Sequence, residues 1–209
     1  MNTWIDGNSF LSSESNRLTS CPERIRIMNV LNLYFSSTGN TEKVALRIQD
    51  TVKELGHNVK TVKVTKGDIN VDVLESDFVF VGSGVYGQLP GKPLIELHKR
   101  LLQKYNEEGE IKPASPRRPG ARVVAYCTYG GVHTGVNEAI PAVKFIGQLF
   151  DHLGYTIVAE WYVVGEYKTD RLRDRSTNGR LGDIRGRPNE EDLKDVAEKV
   201  KGILKAFSF

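Results

Sequence analysis

Cysteine is nearly missing from this chain: of its 209 residues only Cys21 and Cys127 are cysteine. Two isolated thiols make no CxxC pair, no zinc cage and no iron–sulfur motif, and their scarcity points to reducing, cytosolic conditions. Long apolar runs are lacking too; none approaches the roughly 18 residues needed to span a membrane. The N-terminus has no charged-then-apolar pattern, so an intracellular, cytoplasmic protein is expected. A strong excess of one charge is also absent. The 29 Lys/Arg and 26 Asp/Glu leave +3, too balanced to argue for nucleic acid.

What is present is an ordinary globular composition, 39% apolar and 26% charged, over a length that favours one domain. Residues 1–27 are rich in Ser and Asn and show no periodicity, so they read as a poorly structured extension before a domain at 28–209. From Met28 onward strands and helices alternate. Residues 30–35 form a short apolar run, followed by a turn and a helix with Val44, Ala45, Ile48, Val52 and Leu55 at helical spacing, stopped by Gly56. Residues 58–64 alternate Lys with Val, as an edge strand does, whereas 77–82 and 122–127 are continuously apolar, as strands covered on both faces are. Helices carrying Leu94, Leu97, Leu101 and Tyr105, and then a second run ending at Leu153, flank the second of these. A mixed strand at 156–164 leads through an Arg-rich loop to a last helix. Asn189 is placed to cap that helix, and its inner stripe is Leu193, Val196, Val200, Ile203 and Leu204.

Strands alternating with helices imply an α/β fold whose parallel sheet is joined by right-handed crossovers. With the apolar runs central and the mixed runs at the edges, five strands take the order 2-1-3-4-5. Ligands of such sheets bind outside the carboxyl ends of the strands, at the switch point between strands 1 and 3.

The turn at that point reads Ser36-Ser37-Thr38-Gly39-Asn40-Thr41. Short donors, a glycine and unpaired helix amides at a positive dipole end make a nest for phosphate without any Lys or Arg. The same residues also serve as an ordinary helix start. No GxxxxGK[ST] nucleotide loop or GxGxxG dinucleotide loop occurs here, and the acidic residues of a phosphoacceptor receiver are missing.

This turn resembles the flavodoxin phosphate loop, [ST]-x-T-G-x-T, at every constrained position. Two further loops fit the same resemblance, one from Ser83 to Pro90 and one from Thr128 to Gly135. It covers roughly residues 28–205 and is nearest to flavodoxin-like domains whose second loop runs G-x-P-x-Y into L-P, including those joined to bacterial ferredoxin modules. Gly84 stands where that pattern prefers Pro, which predicts a looser loop, and no ferredoxin motif accompanies it in this sequence.

The resemblance implies a three-layer sandwich with helices on both faces and FMN as cofactor. Its phosphate would lie on Ser36, Ser37, Thr38, Gly39, Asn40 and Thr41. Its ring would lie against Gly84, Val85, Tyr86, Gly87, Thr128, Tyr129, Gly130, Gly131 and His133. Tyr86 and Tyr129 offer flat faces for stacking, Gly87 is the peptide expected near the ring's reactive nitrogen, and His133 can reach its polar edge or a substrate. No residue is assigned a catalytic or metal-binding role, and Cys127 is read as core.

Residues 166–187 carry Arg171, Arg173, Arg175, Arg180, Arg185 and Arg187. The stretch 165–188 holds the whole +3 excess. Loops of this length are functional or mobile, and this one is read as a flap, a grip on a nicotinamide phosphate, or a dock for an acidic redox partner near Arg171, Arg173 and Arg175. Three uses stay open: an electron carrier between partner proteins or to a small acceptor, which is preferred; an FMN-dependent NAD(P)H:quinone-type oxidoreductase; and a scaffold that has lost its flavin.

Overall fold

Continuous apolar runs become buried strands because helices cover both faces of the sheet they join. In the computed structural model, which describes residues 26–66 and 69–207, these are β1 (Asn29–Phe35), β3 (Phe78–Tyr86) and β5 (Arg122–Tyr129). The mixed runs become β2 (Asn58–Lys63) and β6 (Thr156–Val164), both half-exposed. The five strands pair in parallel in the order β2-β1-β3-β5-β6, which is the 2-1-3-4-5 arrangement expected. The extension read at 1–27 lies outside the described residues as far as residue 25, and Cys21 with it.

A sixth strand, β4 (Leu89–Pro90), was not foreseen. It folds back antiparallel on the end of β3, pairing Tyr86 with Leu89 and Val85 with Pro90. Gly87 and Gln88 both take positive φ, 57° and 69°, as a tight two-residue hairpin turn requires. Two residues are too few to show a periodicity, and Gly-Gln is not a usual hairpin pair.

Helices α1 (Asn40–Glu54) and α4 (Glu190–Phe207) lie on one face of the sheet, and α2 (Lys92–Glu107) and α3 (Ile140–His152) on the other. Leu55 and left-handed Gly56 end α1 as the sequence suggests. Asn189 and Asp192 cap α4 reciprocally, each side chain accepting the other's backbone N–H, at 3.0 and 2.9 Å. On the α1/α4 face, Phe80 packs within 5.0 Å of Phe78 and 5.7 Å of Trp161, ring to ring. Each such pair adds about 0.5–1.5 kcal/mol to its burial.

A buried amide cross-links this layer. Asn32 of β1 is fully buried, donates to the Ala45 carbonyl at 2.8 Å and accepts from the Tyr126 hydroxyl at 3.3 Å. Its amide is therefore satisfied and ties β1 to α1 and β5.

Candidate functional site

All the parallel strands point their carboxyl ends the same way, so the loops after β1, β3, β5 and β6 meet at one rim. They enclose a cavity of about 740 Å³, within the usual range of small-molecule sites, ~300–1,000 Å³. Of the residues singled out in the sequence, Ser36, Ser37, Thr38, Asn40 and Thr41 line it from the first loop. Gly84, Val85, Tyr86 and Gly87 line it from the second, and Thr128, Tyr129, Gly130, Gly131 and His133 from the third. Gly39 is not part of the lining; it shapes the turn. Its φ of 91° is a left-handed conformation that a side chain would disfavour, and it leaves α1 with no side-chain cap. The first turn of α1 is therefore open toward the cavity.

The polar side chains of this turn are placed by neighbouring loops. The Ser36 hydroxyl accepts the Gly39 N–H at 3.1 Å, and the Thr41 and Thr128 hydroxyls meet at 2.7 Å, tying the first loop to the third. Asn40, 7% exposed, donates through Nδ2 to the Glu166 carbonyl at 2.8 Å. Its Oδ1 is buried without a partner among the described residues.

Gly84 turns out to be filled space, not looseness. The Tyr86 ring folds back over it, so that a Cβ there would lie 2.9 Å from the Tyr86 Oη. The same hydroxyl sits 2.6 Å from Ser37 Oγ, bridging the second loop to the first. A proline at this position would displace the ring. Tyr86 remains 43% exposed, whereas Tyr129 is 9% exposed and packs into the core on the α2/α3 face. Burial raises the Tyr129 pKa, and the Arg187 charge opposes it. Cys127 is fully buried, and burial pushes its thiol far above the ordinary range, so it stays protonated.

The loop after β6, expected only as a flap, a grip or a dock, supplies further wall residues not among the expected site residues: Gly165, Glu166, Tyr167, Lys168 and Thr169, with the anticipated Arg171 and Arg175 beyond them. Tyr167 closes against the third loop, since a Cβ on Gly130 would stand 2.2 Å from its ring. Glu138, also missed, accepts the backbone N–H groups of His133 and Thr134 at 2.6 and 2.7 Å, fixing the tip of the third loop. Nothing in local sequence marks Tyr167 or Glu138 as site residues; their position is set by packing between loops.

Nor is the 165–187 stretch a bare loop. It contains a 3-10 turn (Asp170–Ser176), buries Ser176 and Ile184, and donates the Arg180 N–H to the Val132 carbonyl at 3.0 Å. Of the three arginines read as one patch, Arg171 and Arg175 line the cavity. Arg173 is outside the lining and pairs with Asp170 at 2.8 Å.

Comparison with known proteins agrees with this geometry. The sequence profile of the flavodoxin family matches residues 33–199. A flavodoxin of Clostridium beijerinckii is 30% identical over 99 residues, which are 47% of this chain and 62% of that protein, less than two thirds of its length. Among solved structures, Flavodoxin 1 of Bacillus cereus superposes with a TM-score of 0.59 at 12% identity, over 85% of this chain and 97% of that one. The flavodoxin, WrbA-like protein from Agrobacterium tumefaciens gives 0.56 at 10% identity, over 86% and 99%. The open, uncapped turn before α1, the loops gathered at the switch point and the match across most of the domain lead to one assignment: this chain belongs to the flavodoxin family.

Proposed function

We propose that the chain binds FMN in the cavity at the sheet's carboxyl rim and serves as an electron carrier. Flavodoxins bind FMN, and one observation carries the reading here. The first turn of α1 is uncapped and opens on the cavity beside Ser36, Ser37 and Thr38. Ser36, Ser37, Thr38, Gly39, Asn40 and Thr41 would hold the phosphate. Gly84, Val85, Tyr86, Gly87, Thr128, Tyr129, Gly130, Gly131 and His133 would frame the ring and its chain, joined by Tyr167. When bound, the flavin supplies the redox chemistry; the protein supplies binding, orientation and shielding from water.

The electron donor or acceptor in this proposal is an acidic protein or small anion that approaches the mouth of the cavity, where Arg171 and Arg175 stand. A cytoplasmic location belongs to the same proposal and rests on the scarcity of cysteine. The described residues include no helix long and apolar enough to cross a membrane.

A fluorescence-quenching titration tests the cofactor. FMN should bind at about one per chain, and riboflavin, which lacks the phosphate, far more weakly. Thr38→Ala removes a donor to a charged acceptor and should cost roughly 1.5–3 kcal/mol of FMN binding. Equal affinity for FMN and riboflavin would sink the phosphate assignment. Rapid two-electron bleaching of the loaded protein by NADH or NADPH would replace the carrier with an oxidoreductase.

A further inference from the structure

We propose that Lys168 is a ligand of the phosphate in this site, so that the phosphoester is recognised by charge as well as by backbone amides. The proposal rests on the flavin reading above. The six residues of the first loop, Ser36 to Thr41, include no cation. The nearest one comes from the loop after β6: Lys168 lines the same cavity, and its Nζ lies 3.9 Å from where a Cβ on Gly39 would stand. Gly39 is the residue preceding the open first turn of α1, so the ammonium stands beside that turn.

The segment bearing Lys168 is fastened to α1 at both ends. Asn40 Nδ2 donates to the Glu166 carbonyl at 2.8 Å, and Lys43 Nζ donates to the Pro188 carbonyl at 3.1 Å. The Glu166 N–H closes the base of the loop on the Arg187 carbonyl at 2.9 Å. Lys168 is thus carried on anchored backbone.

The acids nearest it in sequence are engaged elsewhere. Asp170 pairs with Arg173, and a Glu166 carboxylate oxygen accepts the Gly186 N–H at 2.9 Å. Among the described residues Lys168 has no ion pair. The ammonium lines the cavity with nothing among them to neutralise it, which leaves it for an anion bound there. A phosphate monoester is close to a dianion near neutral pH, since its second pKa is about 6. A mobile ammonium beside amide donors completes a site for that charge, and charge-assisted hydrogen bonds are about twice as strong as neutral ones.

The test is flavin titration of the flavin-free protein, using Lys168→Gln and Lys168→Arg, with FMN and riboflavin at low and high salt. Lys168→Gln should weaken FMN binding about tenfold, leave riboflavin binding unchanged and reduce the salt dependence of FMN affinity. Lys168→Arg should restore most of both. If FMN affinity and its salt dependence survive Lys168→Gln, while FMN is still preferred over riboflavin, the lysine has no part in phosphate binding and the amide nest suffices. Equal losses for FMN and riboflavin would mean that Lys168 acts on loop packing, which also overturns the proposal. A wild-type protein that binds neither flavin would refute the flavin reading itself.

Discussion

A methyl group on Gly130 would stand 2.2 Å from the Tyr167 ring, so two residues far apart in sequence depend on each other for the shape of one wall. Gly130→Ala must push the ring away or strain its own loop, and overpacking of this kind costs about 1–3 kcal/mol. Tyr167→Ala removes the ring without strain. It should weaken FMN and riboflavin alike by roughly three- to tenfold, because stacking acts on the ring both ligands share. That equality separates Tyr167 from Lys168, whose loss should affect FMN alone; a titration in which Tyr167→Ala leaves both affinities intact would remove it from the wall. The glycine was legible in the sequence and the tyrosine was not. Gly130 sits in a loop at a strand end, whereas Tyr167 sits in a segment whose composition advertises only arginine.

At the scale of the elements, α2 and α3 meet through His98 and Phe145, whose rings lie edge to face at 5.0 Å. Burial, with the His152 charge adding to it, pushes the His98 pKa down to about 4. An unfolded chain holds this histidine near its ordinary value of about 6.5. Between those values the unfolded state takes up a proton that the folded state refuses, so stability is complete above about pH 6.5 and falls as pH drops toward 4. The expected loss between about pH 7 and pH 4.5 is roughly 1–3 kcal/mol, measured by urea unfolding at the two values. His57, lowered by burial, adds to it in the same direction. His98→Leu should make the fall shallower; identical falls in the two proteins would clear His98. Glu42, held below the ordinary carboxylate range chiefly by its hydrogen bond from Lys63, acts in a more acid window. Its contribution is present above about pH 4.5 and disappears as pH falls below that.

Taken over the whole molecule, the small net charge conceals an uneven surface. Within the loop after β6, Arg173 and Arg185 are matched to Asp170 and Asp183, and Arg187 to Asp192 of α4. Lys168, Arg171 and Arg175 are left facing the cavity, with no ion pair among the described residues. Exposed charges so placed would steer the anionic partner proposed above, and they contribute little to folding. Arg171→Gln with Arg175→Gln should leave the melting temperature nearly unchanged. Reoxidation of the reduced, FMN-loaded protein by ferricyanide should become slower and less dependent on salt, while a neutral quinone should react as before. A large drop in melting temperature would show instead that the arginines hold the loop, and an unchanged ferricyanide rate would leave them without a steering role.

Local chemistry was enough to place β1 through the phosphate-type turn into α1, because strand, glycine turn and helix start follow one another within a dozen residues. Apolar continuity likewise separated β3 and β5 from the edge strands β2 and β6, since a strand covered on both faces has no polar side to show. The two-residue β4 was beyond such reading, as was the burial of Tyr129 in the core when Tyr86 stays at the surface. Both tyrosines end a strand beside glycine, and only the helices packed below decide which face each takes. The loop after β6 shows the division most clearly. Its charge could be counted from the sequence, but which cations face the cavity and which are neutralised depends on where the chain is pinned to α1 and to the third loop. Those contacts, Asn40 to Glu166 and Val132 to Arg180, join residues far apart in the chain, and no local pattern encodes them.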